Sequence, residues 1–178
     1  MNRALIKARA KEFAFNNKWN CWKVTLLMTV IIYAFTFLFS FVVSNFESPM
    51  IIFISLIIFE FAMIPMSIGM NYYMIKLVRG EKIDPFNALF SKYNLTGLII
   101  LVTIGVAVCT YLWSLLLLIP GIIYAFKVIM APFLLADVAN EQTTYSNVIN
   151  ASKYMMDGYK LDLFIFNLSF IGWIFLVM

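Results

Sequence analysis

Glu60 and Lys127 are the two charged side chains set inside otherwise uncharged apolar runs, and such groups typically carry protons, ions or an internal salt bridge. Little else in the chain could do chemistry with them. The sequence has 0 His, which removes the commonest general base and the commonest metal ligand. No second carboxylate shares the run around Glu60, and no serine has a histidine to activate it. Cys21 is expected at the edge of one apolar run and Cys109 inside another, at depths where the two sulfurs cannot bridge. These residues point away from an enzyme, and no motif for a cofactor or a metal accompanies them.

Composition dictates the elements that hold Glu60 and Lys127. With 63% hydrophobic and 12% charged residues, the natural solvent of this chain is lipid. Its apolar runs are continuous rather than alternating, which selects helices over a closed barrel. From Tyr93 to Phe126 there is no charge, and a single helix of that length would reach roughly 50 Å against a hydrocarbon core of about 30 Å. Pro120 and Gly121 break this run, so the chain is expected to reverse at Ile119 to Gly121. The fold expected is all-α, a polytopic transmembrane bundle forming one domain over residues 1–178. Its spans are placed at about 24–46, 50–75, 95–118, 122–136 and 163–178, with kinks at Pro65 in the second and Pro132 in the fourth. The fourth is short for a crossing, and a re-entrant segment is the rival reading. The last run stops with no polar flank, so the chain is expected to be truncated at its carboxy terminus.

Polar stretches between the spans read as short amphipathic helices. In the first 20 residues Arg3, Lys7, Lys11 and Lys18 share one side of a helix, giving a basic stripe that faces anionic lipid headgroups. Asp84 to Asn94 begins with proline and places Phe86, Leu89, Phe90 and Tyr93 on one face. Residues 142–157 place Tyr145, Val148, Ile149, Ser152, Met155 and Met156 likewise, with Thr143 or Thr144 to cap the start and Gly158 the end.

Lysine and arginine set the direction. They gather before the first span, between the second and third, and at Lys153 and Lys160, which places the amino terminus and all three clusters in the cytoplasm. The positive net charge of +4 is accounted for by these flanks, and no nucleic-acid partner is expected. The second and fourth spans then both run inward. Glu60 and Lys127 are expected in the outer half of the bilayer, either paired with each other or, alternatively, protonated and snorkelling respectively. Three similar strings, NKWNCWKV, SKYNLTGL and DGYKLDLF, lead from a surface helix into a span. They fit a repeated unit of surface helix plus hairpin, or simply the recurrence of aromatic residues at membrane entries.

The runs IGMNYYMIKLVRGEKIDPFNALFSKY, LWSLLLLIPGIIYAFKVIMAPFLLAD, SKYMMDGYKLDLF and LSFIGW together resemble a family of bacterial, mainly Gram-positive, integral membrane proteins known as domain of unknown function 975. The resemblance implies a six-span bundle in the cytoplasmic membrane and carries no catalytic residue over. Two function classes remain. The first is a non-catalytic accessory, scaffold or immunity-type protein with a membrane-protein partner or a second copy. The alternative is a small-solute transporter or channel subunit, for which the proline-broken spans, Glu60 and Lys127 speak.

Overall fold

The computed structural model describes residues 3–45 and 48–177, and among them all regular structure is helical. The order is α1 (Arg3–Asn16), α2 (Lys18–Asn45), α3 (Pro49–Val78), α4 (Pro85–Phe90), α5 (Thr96–Leu116), α6 (Leu118–Val128), α7 (Ala131–Asp137), α8 (Tyr145–Met155) and α9 (Lys160–Val177). Four stretches are long and apolar enough to cross a membrane: Lys18–Asn45, Pro49–Val78, Pro85–Leu116 and Ile119–Asp137. The chain is a multi-pass, all-helical membrane protein. Residues 163–177 of the fifth expected span lie within α9, where Lys160 and Asp162 occupy the first turn, and Met178 lies outside the described residues.

The chain divides into two compact units, residues 12–100 and residues 1–11 with 101–178, where the sequence suggests one domain. Each unit has its own hairpin and its own short helix packed on the second limb. In the first, α2 and α3 run antiparallel. Tyr73 donates to the Asn20 carbonyl at 3.2 Å, and Phe59 meets Phe35 with ring centres 5.5 Å apart. The core gathers at the Asn20 end, where Val24 and Met28 meet Met66 and Tyr73 of α3 and Ala88 and Leu89 of α4. Toward the other end the outward apolar side chains of α2 are left uncovered, as lipid would have them.

Helix α4 reaches α3 this closely because of Gly69. A β-carbon there would lie 2.7 Å from the Leu89 α-carbon and closer still to its carbonyl oxygen, so only glycine admits the contact. Asp84 starts α4 by accepting from the Asn87 amide at 3.1 Å, and Pro85 follows in the first turn, where no amide hydrogen is needed. The expected apolar face divides in the fold. Leu89 turns inward with Ala88, while Phe86, Phe90 and Tyr93 form an outer ladder with ring centres 4.8 and 5.3 Å apart.

In the second unit α5 and α6 form a hairpin that is close at its turn. The reversal falls at Leu117, which is extended, ahead of the expected Ile119 to Gly121. Pro120 thus sits in the first turn of α6, where its missing amide hydrogen costs nothing. Gly121 brings α6 against α5, since a β-carbon there would lie 2.8 Å from the Ser114 α-carbon. Pro132 marks a real interruption: α6 ends at Val128, α7 begins at Ala131, and the proline occupies the first turn of α7. Pro65, by contrast, lies buried within a continuous α3. Helix α8 buries Val148, Ile149 and Ser152 and leaves Met155 exposed, and Met156 just beyond its end is buried again. Its start lacks the expected side-chain cap from Thr144, and Gly158 supplies the turn beyond its end with φ +77°. In α4 and α8 the fourth and fifth residues are the buried pair, Ala88 with Leu89 and Val148 with Ile149, so two short helices dock in the same register.

Candidate functional site

The polar side chains of the long helices close on their own backbones. Thr25, Thr29, Thr36, Ser55 and Ser114 each donate to a carbonyl three or four residues earlier, at 2.8 to 2.9 Å. In lipid this satisfies a hydroxyl without a partner helix. These residues line no polar path.

A second set of polar groups joins elements distant in sequence. Pro65 leaves the Phe61 carbonyl without its donor four residues on, and beside it the Tyr93 hydroxyl donates to the Ala62 carbonyl at 2.9 Å. Tyr73 bridges to Asn20 in the same way. In the other unit Ser152, wholly buried on α8, donates at 3.0 Å to the Lys127 carbonyl in the last turn of α6. The Cys109 thiol on α5 lies beside the phenols of Tyr124 on α6 and Tyr145 at the start of α8. Burial first, and then Cys109, hold the Tyr145 hydroxyl above the ordinary phenol pKa. Gly105, one turn before Cys109, makes room for the Tyr145 ring, which a β-carbon would approach to 2.7 Å. All these bonds lock helices together, and none presents an activated group.

Glu60 lies exposed on α3 in the first unit, and Lys127 half-buried on α6 in the second. Lys7 of the basic stripe donates to Ser169 at 2.6 Å and sits 5.6 Å from the Phe166 ring centre, so α9 occupies its side chain. Lys11 is exposed on α1, and Lys18 opens α2 beyond the break at Asn17, off the helix that carries the stripe. The side chains of Arg3, Gly172 and Trp173 lie outside the described residues, as does Glu47. Among the described residues no three of Cys, Asp or Glu gather as metal ligands.

Two hollows complete the geometry. Between α5 and the α6–α7 limb lies an apolar groove of about 240 Å³, running from Thr110 and Ala125 to Val102 and Leu135. A polar cleft of about 370 Å³ lies where the α1–α2 joint meets the end of α3, with Asn17, Asn20, Tyr73 and Lys82 on its walls. Sequence reasoning passed over this cleft because its residues come from two places 60 positions apart in the chain. The one available signal was the glycine turn at Gly80 among basic residues.

Residues 94–178 match the model of a family described as protein of unknown function (DUF975). The match covers all of α5 and everything after it, whereas the sequence resemblance reaches back to Ile68. No curated protein and no solved structure matches the chain.

Proposed function

We propose that this chain, which belongs to the DUF975 family through residues 94–178, is a non-catalytic accessory or scaffold protein of the cytoplasmic membrane. One observation supports this reading above the others. The long helices bury little of themselves within the chain, 6% of the apolar window in Lys18–Asn45 and 17% in Pro49–Val78, while Thr25, Thr29, Thr36 and Ser55 spend their hydroxyls on their own helices. Helices so uncovered have surface to offer another membrane helix. The test is purification in mild detergent of the protein and of a variant carrying Phe37→Ala and Phe41→Ala on the exposed side of α2. A stoichiometric membrane-protein partner or second copy, lost in the variant, is the expected result.

The groove between α5 and the broken α6–α7 limb favours a second reading as a solute carrier or channel subunit. Solute flux through liposomes holding the purified chain alone would overturn the first reading in favour of this one.

The orientation belongs to the proposal: amino terminus and residues 137–162 in the cytoplasm, supported by the lysines and arginines flanking the spans. Cysteine placed by Ser48→Cys, with Cys21 and Cys109 both changed to alanine, is expected to react with an impermeant thiol reagent in intact cells. Ser146→Cys is expected to react only after the cells are opened, and its labelling from outside would reverse the assignment.

A further inference from the structure

We infer that the polar cleft at the α1–α2 joint binds the headgroup of an anionic phospholipid whose phosphate carries a hydroxylated substituent, as in phosphatidylglycerol. The cleft is built by the turn that ends α3. The Gly80 amide donates to Leu77 and the Glu81 amide to Lys76, both at 3.0 Å, with Gly80 at φ +79°. This paired closure satisfies the last carbonyls of the helix and swings Glu81, Lys82 and Ile83 across to face Asn17 and Asn20. The floor is Tyr73, whose hydroxyl donates to the Asn20 carbonyl. A volume of about 370 Å³ suits a small head and excludes nothing as compact as a glycerophosphate.

Charge selects the occupant. Glu81 is engaged by Lys76 at 2.7 Å, so its carboxylate is neutralised toward the cleft. Lys82 also lines the cleft, and among the described residues it has no ion-pair partner. That leaves one available ammonium for a phosphate. Asn17 spends one amide hydrogen on the Phe13 carbonyl at 3.2 Å, and its remaining amide hydrogen and oxygen, with the Asn20 side-chain amide, suit the hydroxyls of a glycerol head rather than a methylated ammonium, which has nothing to donate. Position points to a lipid rather than a soluble phosphate. The cleft opens at the ends of two span-length helices, with Leu77 and Ile83 on its wall, so a head seated there leaves its acyl chains beside apolar surface.

The experiment is native mass spectrometry of the full chain released from mixed phosphatidylglycerol and phosphatidylcholine nanodiscs. Wild-type protein is expected to retain one phosphatidylglycerol in preference to phosphatidylcholine. Lys82→Gln is expected to lower that retention about fivefold, the weight of one lysine beside anionic lipid. Lys153→Gln, an exposed lysine in the other unit, should leave it unchanged. Asn20→Leu should cut the preference for phosphatidylglycerol over phosphatidic acid without abolishing binding of either. Equal retention of the two nanodisc lipids, or equal losses in Lys82→Gln and Lys153→Gln, overturns the site. Displacement of the lipid by millimolar glycerol 3-phosphate makes the occupant a soluble phosphate and overturns the lipid assignment.

Discussion

Gly69→Ala is expected to lower stability in detergent by about 3 kcal/mol, the upper range for forcing a methyl into a filled site. The obstacle is backbone, because the added carbon meets the α-carbon and carbonyl carbon of Leu89 at 2.7 Å. A side chain could swing aside, but a backbone can yield only by moving all of α4. With α4 displaced, Leu89 and Ala88 leave the core they share with Val24, Met66 and Tyr73. Gly97→Ala is the control. Nothing lies within 4 Å of its added carbon, and the exchange in a helix should be neutral or favourable by up to about 1 kcal/mol. Unfolding by SDS titration, read by circular dichroism, measures both. Hydrogen exchange should localise the damage to residues 85–95 and leave 145–155 protected. Equal stability of the two variants would mean that α4 does not dock through Gly69.

Gly69 also marks the boundary of what the sequence made legible. Long charge-free runs write their helices directly, because in lipid each backbone group must be satisfied within the segment. The short amphipathic helices were legible too, through the proline at position 85 and the spacing of Val148, Ile149 and Ser152. The interior glycines look alike in the sequence, yet their tasks differ in the fold. Gly69 admits a backbone, Gly105 an aromatic ring, and Gly97 faces open space. A one-letter pattern does not distinguish these, since the difference lies in what arrives from elsewhere in the chain. The hairpin turn shows the same limit on a shorter scale. Proline and glycine announced a reversal, but a proline tolerated in a first helical turn places the break upstream, at Leu117. The candidate cleft depended on tertiary closure altogether, because Asn17 and Lys82 acquire a shared role only once α2 and α3 pair.

Ser152→Ala is expected to cost about 2 kcal/mol, more than a hydroxyl usually contributes, because of where its partner sits. The Lys127 carbonyl lies in the last turn of α6, just before the interruption that separates α6 from α7. Carbonyls in such a turn have no donor within the helix and need one from outside. Ser152 provides it at 3.0 Å from a site with 0% exposure, so removing the hydroxyl strands a buried acceptor that water does not reach. Ser55→Ala on α3 is the comparison. That hydroxyl donates to the Ile52 carbonyl of its own helix, and its loss should shift stability by less than about 0.5 kcal/mol. The two serines differ in which carbonyl they serve and in whether water reaches it, so the contrast reports on the docking of α8. In Ser152→Ala, hydrogen exchange over residues 145–155 should quicken while that of α2 and α3 stays as in the wild type. Cysteine at 152, a weaker donor, should fall between serine and alanine. If Ser152→Ala and Ser55→Ala prove equally mild, α8 is held by its apolar face alone, and the hydroxyl has no part in fastening it to α6.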